Sequence, residues 1–401
     1  MKDQIAAYTA KLVADRSAFP GDIAFAAQDD VLLTSGNAAL SRLAGDVLSR
    51  LSCLALVAAR PSLPFADLLV QRSGADETAI VPRDTETRTF LHDIPFLRRA
   101  DLSEDPAPRI ARLLGNRKGV VVEGTGIVAG GAVTVEQAFI NYCSVFHATF
   151  VKYLQDILHE GFRLPGEAAA LRAFRSEWLR PLTAEGLAFR QGPLEKPAEI
   201  LEEIAAVGRY TVERGLVDSF FGNISARSGS LIYISQTAAS LDELAGCIDP
   251  VPMDNSSTAG ITASSELLAH RRIYETTDAL VILHGHPKFS VVMSMECSEE
   301  NCPVTDCWKE CPRVRFLGDT PVVAGEIGAG GLARRVPPVI ADRGKALVYG
   351  HGVFTAGEDF GAAFRTMVAV ENWCREEYFR RMEAKTGECF SGGIGCTGQR
   401  P

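Results

Sequence analysis

The sequence of 401 residues predicts an α/β protein in which one architecture occurs twice in tandem. Three observations carry this. The chain is too long for one ordinary core, so two domains are the prior. The segments Val120-Val-Val-Glu-Gly-Thr-Gly-Ile-Val-Ala-Gly130 and Ala346-Leu-Val-Tyr-Gly-His-Gly-Val-Phe-Thr-Ala-Gly357 both read as a buried strand, a glycine turn, a second short strand and another glycine. A second pair, Cys53-Leu-Ala-Leu-Val-Ala-Ala-Arg-Pro61 and Ala279-Leu-Val-Ile-Leu-His-Gly-His-Pro287, lies at the same separation. The offset from Pro61 to Pro287 equals the offset from Gly124 to Gly350.

Each strand–turn–strand segment is followed by a long amphipathic helix, roughly Val135 to His159 and Asp359 to Glu383. Between the copies, Leu164 to Lys196 is punctuated by Pro165, Gly166, Pro181, Gly192 and Pro193 around a helical piece, Glu167 to Leu179, and reads as a connector. The glycine-rich end reads as a loose tail. The expected organisation is a first domain over 1–163, a connector over 164–195, a second domain over 196–385 and a flexible tail over 386–401.

Lys plus Arg is 41 against 50 Asp plus Glu, a net charge of −9. That balance argues against nucleic acid, which needs a basic face. The first residues mix charges with apolar side chains and do not resemble a signal peptide. No stretch approaches the roughly 20 apolar residues a membrane helix needs. The expectation is a cytoplasmic protein with no membrane partner, whose ten cysteines are thiols or metal ligands rather than disulfides.

The chemistry concentrates in the second copy. Leu280 to Leu283 is an apolar run of strand length leading into His284-Gly-His286. Residues two apart on a strand face the same side, so both imidazoles converge. His351 leaves another strand between Gly350 and Gly352. Three neutral imidazoles with an open position suit catalytic Zn²⁺ and also admit Mn²⁺, Fe²⁺ or Co²⁺. Thr262-Ala-Ser-Ser-Glu-Leu-Leu-Ala-His270 is expected to open a helix, with Ser264 or Ser265 capping it and Glu266 in its first turn. In the first copy, the positions at the repeat offset hold Leu40, Ala58, Arg60 and Thr125, which predicts a domain without the metal.

Five ordered motifs between Lys196 and Glu383 carry a resemblance: Gly222-Asn-Ile-Ser225, Ile234-Ser-Gln-Thr-Ala238, Ser264-Ser-Glu266, His284-Gly-His-Pro287 and His351-Gly352. In these the sequence resembles the class II aldolase/adducin family, typified by fuculose-phosphate aldolase. The resemblance implies two tandem three-layer α/β/α domains, each with a central, mostly antiparallel sheet flanked by helices. It makes His284, His286, His351 and Glu266 the metal ligands and Glu266 also the catalytic acid/base. Asn223, Thr237, Ser264 and Ser265 would bind the phosphate or carboxylate of the substrate. Ala238 departs from the glycine the aldolases commonly place after the threonine. The implied activity is a zinc- or divalent-metal-dependent aldehyde-lyase, cleaving a small hydroxy-carbonyl, sugar-phosphate-like substrate through a metal-stabilised enediolate. Epimerase, dehydratase and decarboxylase chemistry on the same scaffold are alternatives, as is an adducin-like non-catalytic interaction module. The family's rings imply a homo-oligomer, a dimer of two-domain chains or larger.

Cys297, Cys302, Cys307 and Cys311 form one closely spaced run, C-x4-C-x4-C-x3-C. Their spacing leaves three readings: a second zinc site, an iron–sulfur cluster, or a loop of free thiols.

Overall fold

The structure is a computed structural model that describes residues 1–390, except 219, 258–261, 300 and 326–327. The expected tail therefore lies, from residue 391 onward, outside the described residues. The chain divides into two compact units, Met1–Arg180 with Phe379–Pro401, and Pro181–Tyr378. Among the described residues, no helix is long and apolar enough to cross a membrane.

The first unit is built on strands β1 (Ala18–Gln28), β2 (Leu32–Gly36), β3 (Ala55–Pro61), β4 (Ala79–Ile80), β5 (Ile94–Leu97), β6 (Gly119–Val122) and β7 (Gly126–Gly131). They form one sheet in the order β2-β1-β3-β7-β6-β5-β4. The central strands are apolar on both faces, with Leu56, Val57 and Ala58 all fully buried, because helices cover both sides. Helices Ala38–Leu48 and Ala107–Leu114 pack Ala44, Val47, Ile110 and Ala111 against one face. The long helix Val135–Glu160 packs against β7 and β3. Its start is fixed by a capping box, Thr134 with Gln137.

The second unit is built on β8 (Asn223–Ser228), β9 (Leu231–Ser235), β10 (Ile248–Pro252), β11 (Val281–Gly285), β12 (Arg315–Leu317), β13 (Thr320–Val323), β14 (Lys345–Val348) and β15 (Gly352–Gly357). Its order is β10-β9-β8-β11-β15-β14-β13-β12. Apart from the added edge strand β10, this is the order of the first sheet. The registers agree as well. Ala58 faces Val128 across β3 and β7, and His284 faces Phe354 across β11 and β15, each residue displaced by the offset of the sequence repeat. The parallel partners Leu97 and Val122 recur as Val323 and Val348 at the same separation. Asp93 receives Arg117 at 2.7 Å, and its counterpart at that offset, Asp319, receives Lys345 at 2.7 Å.

Both sheets are mixed, each holding one parallel pair that the expectation of a mostly antiparallel sheet did not include. β5 and β6 run parallel, as do β13 and β14, while the other neighbours pair antiparallel. The reason is local. Parallel neighbours require a crossover, and helix Ala107–Leu114 supplies it in the first unit, helices Gly328–Arg335 and Pro337–Arg343 in the second.

The units differ most ahead of the first sheet helix. In the first, β2 ends at Gly36 and the helix starts at Ala38, with the Asn37 side chain capping the amides of Ala39 and Leu40. In the second, β9 ends at Ser235 and the corresponding helix starts only at Leu267. Counting from the helix start therefore sets Asn37, not Leu40, opposite Glu266. The first unit lacks the whole intervening segment that carries Thr237, Ser264 and Ser265.

Candidate metal centre

The sheet register assembles the site. On β11, His284 lies between Asn223 of β8 and Phe354 of β15. The His284 ring stacks on Phe354 with centroids 4.0 Å apart. Two residues further, on the same face, His286 follows the end of the strand. His351 sits in the turn between β14 and β15, where Gly350 takes a φ of 57° that side chains disfavour. Gly352 is required by space. A Cβ there would come within 2.3 Å of the Gly285 carbonyl oxygen and 2.6 Å of the His286 ring.

The ligand atoms of His284, His286 and His351 all lie within 4.8 Å of one another. The Nε2 atoms of His284 and His286 are 2.9 Å apart. Nδ1 of His284 lies 3.0 Å from the Val353 carbonyl, which can only accept, so Nδ1 carries the proton and the Nε2 lone pair faces the cluster. Burial, and then the neighbouring His351 and His270, hold His284 well below its usual pKa, so its imidazole is neutral.

Glu266 completes the group. Its carboxylate oxygens lie 3.4 Å from Nε2 of His284 and 3.6 Å from Nε2 of His351. Asn223 donates to the same carboxylate at 2.8 Å. With its nitrogen committed to Glu266, Asn223 leaves Oδ1 buried without a partner, an acceptor open to a donor. Burial raises the pKa of Glu266, while His351 and the Asn223 bond pull it down. The helix begins later than its sequence suggests: it spans Leu267–Thr276, and Glu266 is its N-cap. Neither Ser264 nor Ser265 caps it as expected: the N-cap carries no side-chain cap bond, and the Ser264 hydroxyl instead accepts from the amide of Glu266 itself at 3.3 Å.

Two loops frame this group. Thr237 bonds the Thr262 carbonyl through its amide and the Ala263 carbonyl through its hydroxyl, at 2.9 and 3.0 Å. The Ser264 amide bonds the Ser235 carbonyl. Thr237 and Ser264 are thus tied into one pair of turns, and Ser265 is exposed beside them. Ala238 adopts a φ of 59°, the left-handed region that favours glycine.

Sequence reasoning missed a buried chain below the site. His270 Nδ1 lies 2.7 Å from the Ser225 hydroxyl, which lies 2.8 Å from the Tyr274 hydroxyl. The signal was present in the spacing, since 266, 270 and 274 share a helix face. Burial pushes His270 down to about 3.

The four cysteines of 297–311 lie close enough to act on one another electrostatically, but they are not among the metal-sized ligand groups of the described residues. Cys297 and Cys302 are exposed, Cys307 is half-buried and Cys311 is buried, all as free thiols. Among the described residues, only the three histidines bring ligand atoms together as a metal-sized group. An iron–sulfur cluster or second zinc finds no support. Cys389 is disulfide-bonded, against the expectation that the cysteines are thiols or metal ligands rather than disulfides.

With this geometry in hand, comparison with known proteins is informative. Residues 202–378 match the family model of the class II aldolase and adducin N-terminal domain. The chain is 25% identical over 182 residues to L-fuculose phosphate aldolase of Methanococcus maripaludis, covering 44% of this chain and 96% of that one. It is 27% identical over 184 residues to methylthioribulose-1-phosphate dehydratase of Granulibacter bethesdensis, covering 42% and 86%. Among solved structures, L-fuculose-1-phosphate aldolase of Thermus thermophilus aligns at 23% identity and a TM-score of 0.40, covering 48% of this chain and 99% of that one. The matched segment contains every residue of the His–Glu group.

Proposed function

We propose that the second unit is a divalent-metal-dependent lyase of the class II aldolase type, acting on a small sugar-phosphate-like hydroxy-carbonyl compound. The convergence of three buried or half-buried imidazoles on Glu266 carries this reading. The donor set fits the ion. Three imidazoles, that of His284 neutral with its lone pair turned inward, joined by one carboxylate, are a donor set Zn²⁺ takes in catalytic sites, and Mn²⁺, Fe²⁺ and Co²⁺ accept it too. His284, His286, His351 and Glu266 would hold it. The ion would supply Lewis acidity, polarising the substrate carbonyl and stabilising the enediolate charge left when the carbon–carbon bond breaks.

The chain's own residues do the rest. Glu266 takes and returns the proton of the reacting hydroxyl or carbon, and its raised pKa brings it closer to working pH. Asn223 orients that carboxylate and offers its free Oδ1 to a substrate hydroxyl. Thr237, Ser264 and Ser265 bind the anionic end of the substrate from the two tied turns. The conformation of Ala238 supports this role, because the turn keeps the shape that glycine favours without having glycine.

A dehydratase is the second reading, favoured by the 27% identity to methylthioribulose-1-phosphate dehydratase. Product analysis separates the two. Metal-loaded protein given L-fuculose 1-phosphate should yield two carbonyl fragments, and Glu266→Gln should abolish it. Water loss from methylthioribulose 1-phosphate, with no cleavage of any ketose phosphate, would decide for the dehydratase.

We also propose that the first unit is a metal-free duplicate with a structural role. Its strand order and its registers support a duplication. The row Ala24–Ala58–Val128 stands where the second unit has Asn223–His284–Phe354.

A further inference from the structure

We propose that Glu371 is a positioning residue for the histidine cluster, acting through the first turn of the helix Lys288–Ser294. The inference rests on the metal-centre reading above.

Glu371 is 1% exposed, a carboxylate buried on the long helix Phe360–Thr386. Its oxygens accept from the amide of Phe289 at 3.3 Å, the amide of Ser290 at 2.8 Å, the hydroxyl of Ser290 at 2.9 Å and Nε of Arg375 at 3.1 Å. A buried carboxylate is costly unless fully satisfied, and this one is. What it holds is specific. The helix begins directly after His286-Pro287, and its first-turn amides have no intrahelical partner. Pro287, at the N-cap, has no side-chain acceptor to offer them. Glu371 supplies the cap from a distance, so the backbone that leaves His286 is pinned close to the imidazole.

The first unit provides an internal comparison. At the repeat offset, the counterpart of Glu371 is Val145, fully buried, and the counterpart of Ser290 is Pro64, which has no amide hydrogen to give. There the helix starts only at Phe65, so the residues matching Lys288 to Ser290 are not helical. The copy without the histidines thus lacks the carboxylate, one of its donors and the extra turn they stabilise. A neighbouring contact behaves differently. The Gly350 amide is held by the Ser294 hydroxyl at 2.8 Å, and the Gly124 amide by the Asp67 carboxylate at 3.2 Å. That contact survives in both units and belongs to the fold. The Glu371 contact accompanies the histidines.

The test is cobalt(II) and zinc(II) titration of the metal-stripped full chain, with melting temperatures of the stripped proteins. Glu371→Gln keeps the shape but turns an NH₂ toward donors. It should weaken metal binding about 10- to 100-fold and alter the cobalt absorption spectrum. Glu167→Gln, which breaks a buried contact in the first unit, should lower the melting temperature and leave metal affinity unchanged. Folded Glu371→Gln protein with wild-type affinity and spectrum overturns the inference alone. Wild-type protein that binds no metal overturns the metal-centre reading and this inference together. Glu371→Val, which copies the first unit, should weaken binding further, and Glu371→Gln decides the question if that variant does not fold.

Discussion

At the scale of single residues, close approach decides what the site accepts. Gly352 lies against both His284 and His286, so Gly352→Ala should push the rings apart. Overpacking of this kind costs about 1–3 kcal/mol. The expected outcome is a lower melting temperature together with weakened metal binding, read by calorimetry and metal titration. His270 supports a prediction about pH. Its folded pKa, about 3, lies below the value of about 6.5 of an unperturbed histidine. The unfolded chain then binds more protons between those values, so stability rises with pH across that window, is fully present above it and is lost as pH falls toward 3. The slope is about 1.4 kcal/mol per pH unit for one group. Urea denaturation of metal-free protein from pH 7 to pH 4 should show it, and His270→Gln should make the dependence shallower by about that slope, leaving the part that His284 contributes.

The three histidines and Glu266 were legible in the sequence because strand spacing and helix starts are local patterns. The Ser225–His270–Tyr274 chain, the Asn223–Glu266 bond and the Glu371 cap were not read. Each joins residues brought together by sheet register or by a helix far along the chain.

At the scale of elements, the expected connector is partly an anchored structure. Glu167 is fully buried and accepts from Arg72 at 2.7 Å and from the amides of Arg163 and Leu164 at 2.6 and 2.9 Å. It holds the turn between helices Val135–Glu160 and Glu167–Ala173. Breaking a buried pair by removing one partner costs about 3–5 kcal/mol. Glu167→Ala should therefore destabilise the chain by an amount of that order, measured by denaturant unfolding, without touching the metal site. Composition could not reveal this, because prolines and glycines mark turns whether or not a buried carboxylate ties them down. The parallel strand pairs escaped notice for a similar reason, since crossover helices fix strand direction while periodicity reads only faces.

At the scale of the whole molecule, two sequence matches at one offset anticipate the strand order and register that the two sheets share, and a third match was available. Phe90-Leu91, Asp93 and Pro95 recur as Phe316-Leu317, Asp319 and Pro321 at the same separation. What the sequence could not convey is how much shorter the first unit is ahead of its first sheet helix. The segment between its second strand and first sheet helix is reduced to the single residue Asn37, so no histidine substitution alone would rebuild a site there. Introducing histidines at Ala58, Arg60 and Thr125 together should leave metal stoichiometry unchanged.

The central claim is a single divalent-metal centre made by His284, His286, His351 and Glu266. Elemental analysis of the full chain after zinc reconstitution and desalting tests it most directly. One equivalent of metal per chain is expected in the wild type, with near-complete loss in His286→Ala. A wild type that retains no metal, or a His286→Ala variant that retains as much as the wild type, would contradict it.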